Sequence, residues 1–279
     1  MAYKTFFTVW DGNPQSRAAF NVAVDMTRRA EGHLDVLCVG IDRINPGFYY
    51  AGTSPELLSE SVAAAREEAA QLRREAEEML DHEDISFAVR EAIAQFGGIG
   101  RLIGDRGRYA DLIVLPRPYG REEGEAEAAA VTEAAVFETG APVLVVPPGW
   151  DGPFARHVII GWNESPQAMR AVRLGLPLLV EAGEVEVVVV DPPAHDESLA
   201  DPGADLAVFL DRHGANVRVT LLPKTRPTVI DTLREHARDV EGDLLVMGAY
   251  GHSRLREAIF GGATREALAE AEIPVLMAH

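Results

Sequence analysis

Apolar residues along this chain gather in short runs, separated by longer stretches in which they recur at helical spacing. Toward the amino terminus, Lys4–Trp10, Leu34–Ile41, Ile85–Arg90, Leu112–Leu115 and Pro142–Val146 read as strands. Between them, helices are expected at about Gln15–Ala30, Pro55–Asp81, Gly97–Arg108 and Glu125–Thr139. The rest of the chain repeats the pattern, with strands at Val158–Trp162, Val185–Val190, Val217–Leu221, Leu244–Met247 and Val275–Met277. Helices are expected there at about Ser165–Glu181, Glu197–His213, Pro227–Val240 and Gly262–Ala271. Unbroken Val/Ile/Leu runs mark strands covered on both faces, and strict alternation with helices marks a parallel, doubly wound α/β sheet. Ligands of such sheets sit beyond the carboxyl ends of the strands, at the topological switch point.

The alternation is a sequence repeat as well. Trp10, Asp11, Pro14 and Gln15 recur as Trp162, Asn163, Pro166 and Gln167, at a constant offset of 152 residues. Asp111-Leu-Ile-Val-Leu recurs as Asp243-Leu-Leu-Val-Met, and Pro142-Val-Leu as Pro274-Val-Leu, at an offset of 132. The first copy therefore carries an insertion of 20 residues, placed mostly in Asn45–Pro55 and the long helix after it. Two tandem five-stranded domains of one fold are expected, at residues 1–148 and 154–279. Pro147-Pro148-Gly149-Trp150-Asp151-Gly152-Pro153 forms the linker.

Length agrees with two domains, since 279 residues is close to twice ~150. A net charge of −18 repels phosphate backbones and acidic membranes, and no Lys/Arg run offers a local exception. Charge therefore disfavours nucleic acid, and no nucleic-acid partner is expected. No window approaches ~18 uninterrupted apolar residues, so no membrane span is expected. MAYKTFFTVWDG lacks the features of a signal peptide, and the lone Cys38, inside an apolar run, reads as core filler. A cytoplasmic protein is expected. Eight histidines fall at no metal-ligand spacing and read as surface residues, so no metal is expected. The Glu/Arg run Arg66–Glu78 reads as a solvated helix with i,i+4 pairs.

The candidate chemistry lies in GAYGHSRLREAIFGGATREAL, from Gly248 to Leu268. Gly248, Gly251, Gly261 and Gly262 line a strand-to-helix junction. Glycine admits φ > 0 and close backbone approach, while the helix start offers unpaired N–H groups and a positive dipole end. His252 lies within the loop, in reach of a phosphate or simply solvated.

Together, the strand ending in Asp11 or Asn163, the Asp-Leu-Leu-Val-Met-Gly strand, the Gly-x2-Gly-x9-Gly spacing and the closing Pro-Val-Leu strand resemble the universal stress protein family. The resemblance takes a tandem form and covers essentially the whole chain. It implies an adenine nucleotide alpha hydrolase-like fold, with final strands that pair between the two halves. It also implies binding of ATP or AMP in some members and of no nucleotide in others.

Carried over by position, the family pattern puts Gly248, Gly251 and Gly261 around ribose and phosphates, followed by Gly262, Ala263 and Thr264. The family usually has a hydroxyl residue where Gly262 stands; losing that bond costs about 1 kcal/mol, and Thr264 could supply part of it. Asn163 takes the adenine-contacting place and carries both donor and acceptor. Val189 takes the place of the apolar adenine contact. In the first copy the glycine positions become Pro116, Tyr119, Ala129 and Ala130, so Asp11 persists while the phosphate cradle is lost and no nucleotide site is expected.

The expected function is a stress-response module that is not an enzyme, with ATP or AMP as a regulatory ligand of the C-terminal domain only. A nucleotide-free interaction scaffold is the alternative, and a slow ATPase is the remaining reading. Pairing of the halves through their final strands permits a monomer; helix faces could still form a homodimer.

Overall fold

The computed structural model describes residues 2–43, 55–192, 202–249 and 262–279. Contacts divide the chain into a first unit, Ala2–Ala141, and a second unit, Pro142–His279. The first unit runs β1 (Thr5–Trp10), α1 (Arg17–Ala30), β2 (His33–Asp42), α2 (Pro55–Leu80), β3 (Ser86–Gln95), α3 (Ile99–Gly107), β4 (Leu112–Pro116) and α4 (Glu125–Glu138). Its strands lie in the order β3-β2-β1-β4, each parallel to its neighbours in that order. β1 is thus flanked by β2 on one side and β4 on the other, and the crevice between β1 and β4 is the switch point.

The second unit runs β5 (Val143–Val146), β6 (His157–Gly161), α5 (Pro166–Glu181), β7 (Glu184–Val190), α6 (Ala204–Arg212), β8 (Val217–Leu222), α7 (Val229–Asp239), β9 (Leu244–Gly248), α8 (Gly262–Ala269) and β10 (Val275–Ala278). Its strand order is β5-β10-β9-β6-β7-β8. All these neighbours are parallel except β5, which runs antiparallel to β10 with Leu144 opposite Leu276. The strand expected to close the first copy is therefore grouped with the second unit, paired to that unit's own final strand.

Local chemistry explains the boundaries. α1 buries Ala19, Phe20, Ala23, Val24 and Thr27 on one stripe, and ends where Glu31 turns left-handed at φ 47° and donates its N–H back to Arg28 and Thr27. α5 starts on Pro166, whose missing N–H costs nothing there, with Ser165 Oγ accepting from Ala168 N at 3.1 Å. α7 begins the same way, with Thr228 Oγ1 accepting from Asp231 N. The α6 helix begins at Ala204, after Gly203 at φ 85°, later than the Glu197 expected from its pattern; residues 193–201 lie outside the described ones. Strand β3 runs on to Gln95, five residues past the expected end, because it pairs residue for residue with the ten-residue β2.

The repeated aspartates do the same work in both units. Asp111 Oδ2 accepts from the backbone N–H groups of Lys4 and Thr5, and Asp243 accepts from those of Arg156 and His157. Each carboxylate thereby fixes the start of the neighbouring strand. In β2, a Cβ on Gly40 would fall 1.8 Å from the Ala65 carbonyl, so only glycine lets α2 settle on the sheet there. Cys38 is fully buried and free, and burial, followed by nearby Glu77 and Glu75, pushes its thiol up to about 12. It is core filler.

Candidate functional site

In the second unit, register decides what meets at the strand ends. Gly161 of β6 stands opposite Met247 of β9 and Val188 of β7. Asn163, Val189 and Gly248 consequently arrive together at the carboxyl ends of three adjacent strands, around the switch point between β6 and β9. Asn163 is exposed, and its Oδ1 accepts from Ser165 N at 3.2 Å, closing the turn into α5. A carbonyl oxygen has a second lone pair and the amide a separate donor, so this turn does not use up the side chain. Val189 is buried, and a Cβ on Gly203 would lie 3.5 Å from its Cγ2, so the turn into α6 covers it.

Gly248 is closely confined. A Cβ there would lie 2.5 Å from Ala168 N and 2.8 Å from the Gln167 carbonyl carbon. The glycine thus lets β9 pass against the first turn of α5, a packing role independent of any ligand. Gly262 opens α8, Ala263 follows it within the helix, and Thr264 is buried. Gly251, Gly261 and His252 lie outside the described residues.

The corresponding end of the first unit holds a cavity of about 330 Å³. Its floor is apolar, formed by Val9 of β1, Val39 of β2, Leu115 of β4, Leu72 of α2 and Val131 of α4. Asp11 lies on its wall and is held by Arg121, whose side chain is 1% exposed against 33% for the aspartate. Arg121 Nη2 also donates to Ser16 Oγ at 2.7 Å, and Ser16 Oγ donates to Asp11 Oδ1 at 2.6 Å. The three groups close a ring of hydrogen bonds. Thr132, the counterpart of Thr264, is buried, with its hydroxyl bonded to the Ala128 carbonyl at 2.9 Å.

Acidic groups surround the mouth. Glu125 Oε2 accepts from Gly120 N at 3.0 Å, and Glu125 and Glu127 stand in the first turn of α4, where the helix dipole favours negative charge. Arg43, following β2, sits between Glu68 and Glu127, 3.2 Å and 3.8 Å away. Glu68 Oε2 also accepts from Ile41 N at 3.0 Å. Sequence reasoning missed Arg121 and Arg43 as wall groups. An arginine in a Pro/Gly-containing loop gives no sign of which distant acid it will meet.

It also missed a charged cluster on β7. Glu186 is 1% exposed, yet it takes hydrogen bonds from Arg218 at 2.8 Å and from the Thr220 hydroxyl, with His236 Nε2 at 3.0 Å. His157 Nε2 stands 3.6 Å away. Burial alone would raise this carboxyl, but Arg218, Thr220 and His236 together hold it down at about 2. His157 and His236 are therefore partly buried partners of an acid, where solvated surface histidines were expected. The cause is tertiary: β6 and α7 bring them to one side of β7. Among the described residues, no group of three or more His, Cys, Asp or Glu is arranged to hold a metal ion, and no helix is long and apolar enough to cross a membrane.

Comparison with known proteins bears on both units. A universal stress protein of Synechocystis sp. is 24% identical over 290 residues, covering 98% of this chain and 99% of that protein. A universal stress protein structure from Archaeoglobus fulgidus superposes with a TM-score of 0.75 at 15% identity, covering 100% of this chain and 96% of the other. A Pseudomonas aeruginosa structure described as a putative universal stress protein gives 0.60 at 14% identity, covering 99% and 93%. These structures share the fold. The family model of the universal stress protein family matches residues 155–279. Residues 155–279 thus match the universal stress protein family, in a chain that resembles universal stress proteins along its whole length.

Proposed function

We propose that the protein is a cytoplasmic stress-response module whose second unit takes ATP or AMP as a regulatory ligand, without turning it over. The observation that carries this reading is the register that gathers Asn163, Val189 and Gly248 at the ends of β6, β7 and β9. That is where a doubly wound sheet receives a nucleotide, and α8 opens with a glycine at the same end. Asn163 would meet an adenine edge with its amide, Val189 would offer apolar contact, and Gly248, Gly251, Gly261, Gly262, Ala263 and Thr264 would serve ribose and phosphates.

Native mass spectrometry of freshly purified protein, followed by calorimetric titration with ATP and AMP, tests the proposal. Bound nucleotide or a saturable heat is expected, and Gly251→Val should remove it by filling space the phosphates need. Asp11→Ala should leave it intact. An empty protein that gives no heat at millimolar ATP refutes the reading, as does unchanged affinity in Gly251→Val.

A second reading, a nucleotide-free interaction scaffold, is favoured by one observation. Gly248 already has a reason to be glycine in its approach to Gln167 and Ala168. In that case the loop serves the fold, and both titrations are flat.

A further inference from the structure

The cavity in the first unit has the position of a ligand site but the wrong charge for a phosphate. We propose that it binds a small molecule with an apolar body and a positively charged amine or guanidine head, and that it rejects phosphorylated ligands. The site is independent of the nucleotide reading for the second unit.

Three observations lead there. The first is place and size. About 330 Å³ lies at the carboxyl ends of β1, β2 and β4, at the switch point. That volume is near the lower end of ligand cavities, roughly 300–1,000 Å³, which suits a compact body rather than a nucleotide with its phosphates. The second is the floor. Val9, Val39, Leu72, Leu115 and Val131 offer apolar surface and no hydrogen-bonding side chain, so the buried part of the ligand must be apolar.

The third observation is the wall. The charged residues lining the cavity are Asp11, Glu68, Glu123 and Glu127 against Arg43 and Arg121, an excess of two negative charges. Arg121 is committed to Asp11 and Ser16, so it has little to offer an incoming anion. Arg43 is shared between Glu68 and Glu127, and its guanidinium is raised further by the bond to Glu68. Arg43 thus answers two of the lining acids, and Glu123 adds a further carboxylate to the wall. The start of α4, which would otherwise attract a phosphate, presents Glu125 and Glu127, and the Glu125 carboxylate already takes the Gly120 N–H. A phosphate in the cavity would face Glu68, Glu123 and Glu127 among its lining residues, and like charges repel.

The test is isothermal calorimetry on the full chain with three probes: phenethylamine, phenylacetate and AMP. Phenethylamine and phenylacetate share a ring and differ in the sign of the head. Phenethylamine should bind at least about tenfold more tightly than phenylacetate, with the gap narrowing as salt rises. Ala128→Phe, on the cavity wall, should remove the phenethylamine heat. Glu68→Gln and Glu127→Gln, both on partly exposed positions, should lower the preference for the amine while leaving Asp11 and Arg121 in place. AMP binding, if seen, should be unchanged in Ala128→Phe. The proposal is overturned if phenethylamine gives no heat on the wild-type chain. Equal or tighter binding of phenylacetate, or an amine heat that survives Ala128→Phe, also overturns it.

Discussion

Replacing Arg121 by Met removes the guanidinium while keeping most of the apolar stem, and isolates what the ring of Asp11, Ser16 and Arg121 contributes. Three hydrogen bonds from the guanidinium are lost, to Asp11, to Ser16 and, at 3.3 Å, to the Arg117 carbonyl. Breaking a fully buried ion pair costs about 3–5 kcal/mol. Asp11, however, is one-third exposed, and it keeps its bonds from Ser16 Oγ and from Asn13 N at 3.1 Å. The expected coupling between Arg121 and Asp11 is therefore lower, about 1.5–3 kcal/mol, the range of hydrogen bonds to charged groups. A double-mutant cycle of Arg121→Met and Asp11→Asn measures it. Two units need not unfold together, so the signal should report the first one alone. Trp10 serves, because it is buried beside the cavity and its indole N–H donates to Glu75 Oε2 at 3.1 Å. Urea unfolding followed by fluorescence, in a background with Trp150 and Trp162 replaced by Phe, isolates it. A coupling below about 0.5 kcal/mol would place the pair among ordinary surface salt bridges. That result would refute the inference that Arg121 is committed to the wall.

Two further predictions concern stability. The folded-state value of Glu186, about 2, lies below its ordinary carboxylate value of 4.5. Its contribution to stability is thus complete above about pH 4.5 and is lost as the pH falls toward 2. Acid unfolding of the second unit should be less steep through that window in Glu186→Gln, and identical steepness by circular dichroism would contradict the assignment. Gly40→Val should destabilise the first unit by more than about 3 kcal/mol, because its Cβ would strike the Ala65 carbonyl on the backbone of α2. Denaturant midpoints within a few tenths of wild type would show that α2 can shift freely.

The alternation of apolar runs and helical stretches was enough to place the strands of β1 through β10 in order, since covered parallel strands leave unbroken Val/Ile/Leu signatures. The aspartates ahead of β4 and β9 were visible as a repeat, and their shared structural role explains why the motif recurs. Gly248 and the turn holding Asn163 could be placed at strand carboxyl ends from the alternation alone, whereas Val189 was singled out only through the family resemblance. Pairings between distant residues were not legible. Arg121 and Asp11 are 110 positions apart, and Arg121 sits in a loop with no period to orient it. In sequence Glu186 is one polar position in an apolar strand, and only the arrival of β6, β8 and α7 shows that it is buried and what neutralises it. The length of β3 was hidden for a related reason. An edge strand is partly exposed, its pattern is diluted, and its end is set by its partner β2 rather than by its own sequence.

The Glu186 cluster has a consequence for how the second unit selects one arrangement of its strands. In the native pairing Glu186 stands opposite Arg218, and Thr220 follows two positions along β8 on the same face. A slip of β7 by one residue would turn the carboxylate to the opposite face of the sheet, away from all of its partners. Valines at 185, 187, 188, 189 and 190 are nearly interchangeable as apolar fillers, so hydrophobic burial alone discriminates weakly between registers of this strand. A single acid that can be desolvated only with its partners in place supplies the missing discrimination. Glu186 acts as a key cut for one lock, excluding misaligned sheets that the valines would tolerate.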